Sequence, residues 1–353
     1  MPAVTLPTVL LHDHLDGGLR PATFLELAAA AGVEPPATTP AAAADFFDQG
    51  PSGSLDRYLE AFKYTIAAMQ TEAALERVAY EAVHDLAADG VIYAEFRFAP
   101  RAHLQRGLTP AEVVRAVAGG LAVGSRETGT ETRLILDALR TANDSEEVAR
   151  LAVASRDLGV VAFDLAGAEK GYTADLFLPA CRLAAEGGLE LTIHAGEADG
   201  LRSVAIAWKR CGAARIGHGV AIAEDCRIED GEVVSVGRLA AQVRDRQLPL
   251  EMCPTSNLHT KRWQPQQHPI GALHRAGFAV TVNTDNRLMS RTSVSAEFDL
   301  LRRFHGFTDQ DVAIVTRRAL RAAFCPWSLK QHLWEERIRP AYLTAGVPVS
   351  PWE

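Results

Sequence analysis

Two histidines near the start of the chain, His12 and His14, stand at the end of an apolar run, in the segment LLHDHLDGG. Side chains two residues apart lie on the same face of a β-strand, so both imidazoles project together while Asp13 points the other way. A lone buried histidine is commonly satisfied by a backbone carbonyl, but neutral imidazole is also the commonest metal ligand. The pair therefore suggests a metal site at the end of this strand.

Five further apolar runs end in, or carry, a residue that can bind a metal or move a proton. These residues are Asp164, His194, His218, Glu251 and Asp285. Three imidazoles and one carboxylate form a plausible set for a catalytic zinc ion, with a water completing the shell. The candidates for that set are His12, His14, His194, His218 and Asp285. One of the five can be a proton carrier instead of a ligand.

An additional acid, Glu197, follows His194 across a glycine in the sequence HAGE. This spacing lets its carboxyl face a substrate rather than the metal. A metal held by these residues would act as a Lewis acid and lower the pKa of a bound water. The residues themselves would provide a base and a carboxylic acid that faces the leaving group. They predict metal-assisted hydrolysis.

The elements that must position these residues are eight short apolar runs, each followed by a helix-like stretch. The runs are Val9–Leu11, Val91–Phe98, Arg133–Leu139, Val160–Leu165, Leu189–His194, Arg215–Gly219, Leu248–Cys253 and Phe278–Asn283. Strands that alternate with helices predict a parallel sheet, and eight such units predict a TIM (β/α)8 barrel, whose active site forms at the carboxyl ends of the strands. A doubly wound sheet is the alternative, but no GxGxxG motif follows the first strand.

The connection after the first strand is unusually long. We expect a helical insertion over about residues 33–70, in which Leu55, Tyr58 and Phe62 belong to one helical pattern. This helix either packs on the outside of the barrel or forms a hydrophobic lid over its mouth. We expect residues 1–353 to form a single barrel domain that includes the insertion.

Composition excludes several classes of partner. The 353 residues are 48% hydrophobic and carry a formal net charge of −8, with no basic stripe to pair with nucleic-acid phosphates. No window approaches the roughly 18 apolar residues of a membrane span, and the N-terminal segment lacks the pattern of a signal peptide. Five cysteines without a CxxC motif form neither a disulfide framework nor a thiolate zinc site. We expect a cytoplasmic protein, and the pattern predicts no particular oligomeric state.

Six motifs, in this order, resemble those of the adenosine deaminase family in the amidohydrolase superfamily. They are HDHLDGGLRP at 12–21, DLAGAE at 164–169, HAGE at 194–197, IGHG at 216–219, EMCPTSN at 251–257 and NTDN at 283–286. The resemblance extends from about residue 8 to about residue 325. It supports the barrel and implies one zinc ion per chain.

The resemblance also implies roles for the polar residues. The zinc ligands would be His12, His14, His194 and Asp285. His218 would orient the attacking water and help to deprotonate it, with Asp285 accepting a hydrogen bond from it. Glu197 would protonate N1 of a purine so that water can add to C6.

Substrate contacts follow from the same resemblance. Gly167 would donate a backbone hydrogen bond to purine N3, and Asp16, with His14 nearby, would contact the ribose 5′-hydroxyl. Glu251 would steady the site from behind the ligands. The apolar gate over the pocket would be formed by Leu55, Tyr58 and Phe62.

Two positions depart from the family pattern, since Asn286 and Ala168 stand where aspartate is frequent. An asparagine amide can donate to purine N7 at any pH, whereas an aspartate must first be protonated. We therefore expect Asn286 to read N7. The alternative is that Asn286 caps the turn after the last strand and never meets the base.

The expected activity is hydrolytic deamination of adenosine and 2′-deoxyadenosine, with release of ammonia. One alternative keeps the chemistry but acts on adenine or a 5′-modified nucleoside. Asp16 argues against AMP, because a carboxylate beside a phosphate is repulsive. Two more distant alternatives are a non-catalytic zinc- or nucleoside-binding relative and an amidohydrolase that acts on a cyclic amide.

Overall fold

A computed structural model describes residues 6–48, 50 and 52–352 of the chain. The strands are, in chain order, β1 (Thr8–His14), β2 (Val91–Phe98), β3 (Glu131–Leu139), β4 (Val160–Ala166), β5 (Glu190–Ala195), β6 (Arg215–His218), β7 (Cys226–Glu229), β8 (Glu232–Val236), β9 (Leu250–Met252) and β10 (Val280–Val282). All except β7 and β8 pair side by side in chain order within one parallel sheet. Each of the eight predicted runs overlaps one of these strands, which confirms the TIM barrel.

Helices surround the sheet and fill most connections between its strands. They are α1 (Pro21–Ala31), α2 (Pro40–Phe47), α3 (Leu55–Leu59), α4 (Phe62–Ala68), α5 (Glu72–Ala88), α6 (Pro110–Thr128), α7 (Ser145–Ala154), α8 (Leu178–Glu186), α9 (Gly200–Lys209), α10 (Arg238–Asp245), α11 (Pro254–Lys261), α12 (Ile270–Arg275), α13 (Val294–His305), α14 (Asp309–Ala322), α15 (Trp327–His332) and α16 (Arg339–Thr344). A π-helical turn, Leu333–Ile338, joins the last two. Within the described ranges, none of the helices has the length and apolar character needed to cross a bilayer.

The barrel closes where the chain beyond β10 meets β1. The amide of His14 donates to the carbonyl of Asp285 (2.6 Å), and the amide of Asp285 donates to the carbonyl of His12 (3.0 Å). Below them, the side chain of Asn283 accepts from the amide of Leu11 (3.0 Å). This seam brings the HxH segment and the NTDN segment together, so closing the barrel also sets candidate ligands beside each other.

A two-stranded hairpin, β7 and β8, is inserted between the sixth and seventh barrel strands, and the sequence analysis does not predict it. Its turn contains Asp230 and Gly231, which both have positive φ angles, 49° and 78°. Two consecutive positive φ values are typical of a type I′ turn, for which Asp-Gly is a preferred sequence. The hairpin lies outside the barrel sheet and leaves its strand order unchanged.

The insertion predicted over residues 33–70 contains α2, α3 and α4, and its residues 49 and 51 lie outside the described residues. The same is true of residues 1–5 and 353 of the predicted single domain. Ser54 caps α3 by accepting from the amide of Arg57. The hydroxyl of Tyr58 in α3 lies 2.7 Å from that of Ser290, which follows β10. This contact holds the insertion against the mouth of the barrel.

Close packing of α5 on α6 requires a glycine at position 120. A Cβ atom on Gly120 would lie 2.1 Å from the carbonyl oxygen of Glu76 and 2.9 Å from the Cβ of Ala79. The neighbouring Gly119 has space, since its Cβ would find its nearest atom, in the Glu76 side chain, at 4.0 Å. The two adjacent glycines therefore have opposite tolerances for a methyl group.

We predict that Gly120→Ala destabilises the fold by about 1–3 kcal/mol, because the two helix backbones must separate to admit the methyl group. Gly119→Ala is the matched control and should stabilise by about 0.4–1 kcal/mol through the lower entropy of the unfolded chain. Urea unfolding followed by circular dichroism measures both. Equal unfolding midpoints in the two variants would contradict the close helix contact.

Candidate metal centre and substrate pocket

Four imidazoles and one carboxylate converge at the carboxyl ends of the strands. His12 and His14 come from β1, His194 from β5 and His218 from β6, and Asp285 follows β10. His12 Nε2 lies 3.3 Å and His14 Nε2 lies 3.5 Å from Asp285 Oδ1, and the Nε2 atoms of His14 and His194 are 3.1 Å apart. One ligand atom each from His12, His194, His218 and Asp285 also lies within 4.8 Å of the other three. Those four residues could hold a metal ion, and His14 lies beside them.

Strained backbone fixes two of the five. His218 and Asp285 have φ angles of 59° and 58°, in the left-handed region that L-residues rarely adopt. Such residues concentrate at functional sites, where the surrounding structure holds them in place. Gly217 allows close packing beneath the centre, because a Cβ there would lie 3.0 Å from the Cα of His194.

Each of three imidazoles has a buried carboxylate behind it. The Nδ1-to-oxygen distances are 3.0 Å from His12 to Glu251, 3.1 Å from His14 to Asp137 and 2.9 Å from His194 to Asp164. A carboxylate accepts the Nδ1 proton and so turns the Nε2 lone pair of each ring toward the common centre. Metal-binding histidines characteristically have such partners.

The donor set fits a cation. Burial lowers the pKa of His14, but the carboxylates of Asp137 and Asp285 outweigh it and raise that pKa to about 9. This is the behaviour of a site with excess negative charge. Nε2 of His12 is buried, and among the described residues it has no hydrogen-bond partner. An anionic cluster with an unpaired nitrogen aimed into it is what a divalent metal would neutralise.

A network of buried charges, the ionic floor, lies beneath this centre. It consists of Glu95, Arg97, Asp164, Arg215 and Glu251. Arg97 donates to Asp164 (2.7 Å) and Glu251 (2.8 Å), and Arg215 donates to Glu251 and Glu95 (both 2.5 Å). Burial raises the pKa of Glu251, but the two guanidinium groups outweigh it and hold that pKa well below its usual range. The acceptor behind His12 is therefore an ionised carboxylate.

His218 differs from the other three imidazoles in its partner. Its Nδ1 lies 3.0 Å from the side-chain nitrogen of Asn257, an amide and not a carboxylate. Its Nε2 lies 3.5 Å from Glu197 Oε2. Asp285 receives its own support from Ser256, whose hydroxyl donates to Oδ2 at 2.6 Å.

Glu197 lies at the edge of the centre and is buried. Its Oε1 has no hydrogen-bond partner within the part of the chain that the structure describes, and burial raises its pKa. The loop that carries it is held by Glu169, which accepts from the amides of Gly196 (2.5 Å) and Ala198 (2.5 Å). The site thus contains a positioned carboxyl that is biased toward its protonated form.

A cavity of about 350 Å³ opens beside the metal-ligand cluster, and every predicted substrate contact lines it. These residues are His14, Asp16, Leu55, Tyr58, Phe62, Gly167 and Asn286. The cavity also reaches His194, Glu197, His218 and Asp285. The lining combines apolar side chains of the insertion with a few polar groups, as is typical of small-molecule sites.

Two of the predicted substrate contacts have an oxygen without a partner among the described residues, Oδ1 of Asp16 and Oδ1 of Asn286. Burial raises the pKa of Asp16, whose Oδ2 lies 3.9 Å from Nε2 of the buried His103. Gly17 makes room for Asn286, because a Cβ on Gly17 would come within 2.1 Å of Oδ1. Both side chains are buried at the cavity wall, where a ligand can satisfy them.

Several residues that support the site are not predicted from the sequence. Asp137 lies inside the apolar run of β3. A single acidic residue at an inward-facing position of that strand is the one feature of the sequence that could have pointed to its role. Asn257 belongs to the EMCPTSN motif but received no role. His103 lies beside Asp16, and His268 contacts Asn257, but neither histidine ends one of the eight apolar runs.

Comparison with known proteins agrees with this geometry. The sequence profile of the family described as adenosine deaminase matches residues 7–339. The chain belongs to the adenosine deaminase family. Adenosine deaminase 1 of Streptomyces coelicolor is 48% identical over 95% of this chain and 87% of its own length, and the adenosine deaminase of Mycobacterium ulcerans is 48% identical over 95% of both. The expected family and its deaminase chemistry are confirmed.

Solved structures of this family's fold are also similar. Adenine deaminase from Arthrobacter aurescens is 25% identical, with a TM-score of 0.84 over 97% of this chain and 100% of that one. Arabidopsis ADAL complexed with GMP is 27% identical, with a TM-score of 0.79 over 97% of this chain and 98% of that one. An adenine deaminase and a protein solved with GMP therefore share this fold.

We predict that Asp137→Asn weakens zinc binding about 10–100-fold, because the His14 ring loses the anionic acceptor that orients it. Competition with a chromogenic chelator measures the Kd. Asp245→Asn is the control, since that carboxylate is 65% exposed on α10 and remote from the metal ligands. Unchanged zinc affinity in Asp137→Asn would show that Asp137 does not support a ligand.

Proposed function

We propose that this member of the adenosine deaminase family hydrolyses adenosine and 2′-deoxyadenosine to inosine and 2′-deoxyinosine. Water adds at C6 of the purine, the bond from C6 to its amino nitrogen breaks, and ammonia leaves. The observation that carries the proposal is the meeting of the candidate metal ligands with the buried, unpaired carboxyl of Glu197 in one purine-sized cavity. Family membership supplies the reaction class.

The proposed cofactor is one zinc ion per chain. Three imidazole nitrogens and one carboxylate oxygen suit zinc, which is bound by such sets in catalytic sites. The proposed ligands are His12, His14, His194 and Asp285. When bound, zinc lowers the pKa of a water and so supplies a nucleophile near neutral pH.

The chain's own residues place the remaining protons. Glu197, biased toward its acid form by burial, would donate to N1 of the purine and draw electrons away from C6. His218 stands 3.5 Å from Glu197 on the metal side and would hold the attacking water in line with C6. Glu251 would keep His12 in orientation from the ionic floor.

The cavity wall provides the proposed nucleoside contacts. The buried Oδ1 of Asp16 would accept from the ribose 5′-hydroxyl. From the cavity wall, the Gly167 amide would donate to N3 and the NH₂ group of Asn286 would donate to N7. The insertion would act as the lid of a single barrel domain. Its side chains over the base would be Leu55, Tyr58 and Phe62.

Substrate choice is the alternative to test, because two similar structures are named for other ligands. One is an adenine deaminase, and the other was solved with GMP. Free adenine would leave Asp16 without a hydroxyl partner, and a nucleotide would bring a phosphate to a buried carboxylate. The environment of Asp16 therefore favours an unphosphorylated nucleoside.

Ammonia release from adenosine, 2′-deoxyadenosine, 5′-deoxyadenosine, adenine and AMP tests this proposal. We expect similar kcat/KM for the first two, a value at least roughly tenfold lower for 5′-deoxyadenosine, and lower values still for adenine and AMP. A preference for adenine or AMP would replace the proposed substrate. Ammonia from none of the five would refute the activity and leave a binding protein or a cyclic-amide hydrolase.

The role of Glu197 is tested with the same assay. Glu197→Gln should retain zinc and nucleoside binding but lose on the order of 10²-fold or more in kcat, the size of a general-acid contribution. The control is Glu186→Gln, which changes an exposed carboxylate at the end of α8. Near-native kcat in Glu197→Gln would remove the acid from the mechanism.

Asn286 gives a separate prediction about the base. In 7-deazaadenosine a C–H replaces N7, so the buried amide of Asn286 loses its acceptor. We expect kcat/KM to fall at least several-fold relative to adenosine, which corresponds to about 1–3 kcal/mol. Asn286→Ala should abolish most of that discrimination. If the ratio between the two substrates is the same in both proteins, Asn286 does not contact N7.

A further inference from the structure

We infer that Asn257 and His268 form a hydrogen-bond chain that places the ring proton of His218 on Nε2, so that His218 presents a donor to the reaction centre. The inference deepens the proposed function and rests on it for the catalytic consequence. Asn257 and His268 are positioning residues, because they act through His218. The hydrogen bonds themselves follow from the structure and do not depend on which reaction the protein catalyses.

The chain of hydrogen bonds starts at a group that can act only as a donor. The backbone amide of Ile270 points at Nδ1 of His268 at 3.1 Å, and a backbone amide can only donate. Nδ1 of His268 is therefore an acceptor. Burial, together with the nearby imidazoles of His305 and His218, lowers the pKa of His268 to about 3, so the ring is neutral. Its one proton must lie on Nε2.

The next link follows from that proton. Nε2 of His268 lies 3.2 Å from Oδ1 of Asn257 and donates to it. The opposite orientation of the amide would set its NH₂ group against the His268 proton, donor against donor. The orientation of Asn257 is thus determined by its partner, and its NH₂ group faces His218.

The last link sets the tautomer of His218. The Asn257 nitrogen lies 3.0 Å from Nδ1 of His218 and can only donate, so Nδ1 is an acceptor. A ring whose Nδ1 accepts a hydrogen bond has its proton on Nε2, which here lies 3.5 Å from Glu197 Oε2. All four residues of this sequence are buried. The result is the reverse of the tautomer in the three imidazoles that donate from Nδ1 to carboxylates.

This reversal separates two roles within one cluster. Rings that donate from Nδ1 have an Nε2 lone pair available for a metal, as in His12, His14 and His194. His218 has a proton at the corresponding atom and is excluded as an Nε2 ligand. That proton can instead be donated to the oxygen of the attacking water, which fixes the direction of its lone pairs relative to C6.

The test reads the tautomer directly in the zinc-loaded protein labelled with ¹⁵N-histidine. Long-range ¹H–¹⁵N correlation distinguishes a ring protonated at Nδ1 from one protonated at Nε2, and His218→Gln identifies the His218 signals by their loss. We expect His218 to be protonated at Nε2 and His12 at Nδ1. A proton on Nδ1 of His218 in the unsubstituted protein would overturn the inference, whatever the activity.

Asn257→Asp tests whether the chain of hydrogen bonds causes the tautomer. A carboxylate at this position can accept from both His268 and His218, so the His218 proton should move to Nδ1. We expect kcat for adenosine to fall at least about tenfold, since a wrong histidine tautomer is costly in hydrolases, with KM changed less than about threefold and zinc retained. If Nδ1 of His218 stays unprotonated in this variant, Asn257 does not set the tautomer.

Thr260→Val is the matched control. Thr260 belongs to the same helix and donates to the backbone carbonyl of Asn257, so its replacement perturbs α11 without touching the hydrogen-bond chain. We expect its His218 signals and its kcat to match those of the unsubstituted protein. The inference and the proposed function can fail separately. Absence of adenosine turnover would refute the function, whereas the ring signals report the tautomer without any turnover.

Discussion

The centre of the barrel is organised by one carboxylate, that of Glu251. It accepts from two guanidinium groups, Arg97 and Arg215, from the hydroxyl of Thr192 (3.0 Å) and from Nδ1 of His12. Charges removed from water are tolerated only when they are paired and hydrogen-bonded, so each of these residues requires the others. Interiors of such barrels are commonly filled by branched apolar side chains. Here the charged side chains of the ionic floor take their place directly beneath the metal-ligand cluster.

The geometry of the metal-ligand cluster therefore depends on the ionic floor. Arg97 contacts both Glu251 and Asp164, which are the acceptors behind His12 and His194. One guanidinium group therefore sets the orientation of two imidazoles on strands β1 and β5. Ligands held in this way need little rearrangement when a metal binds, and a preorganised centre is the main source of electrostatic catalysis. The partner behind each imidazole also distinguishes its role, a carboxylate for a prospective ligand and an amide for His218.

The sequence predicts the barrel well because eight buried strands leave eight apolar runs, and their polar ends mark one rim. It also predicts the polar residues of the cavity wall, which lie at strand ends or in motifs, and the helical pattern of the insertion predicts Leu55, Tyr58 and Phe62. The partners across the barrel are not predictable in this way. Asp137 is a single acid in an apolar strand, and its contact with His14 depends on how β3 and β1 are placed in the closed sheet. The β7–β8 hairpin does carry a signal, an Asp-Gly turn after the alternating Cys226–Glu229, but its strands have only four and five residues and are partly exposed, so they do not stand out as buried apolar runs.

The seam of the barrel has a consequence for how the protein comes apart. His12 and His14 belong to the first strand, and Asp285 follows the last, so a cation bound by both sides fastens the beginning of the barrel sequence to its end. A ligand that binds only the folded state adds its binding free energy to stability. The same ion would therefore link the two ends of the barrel, and the thermal stability of the protein would rise and fall with metal occupancy.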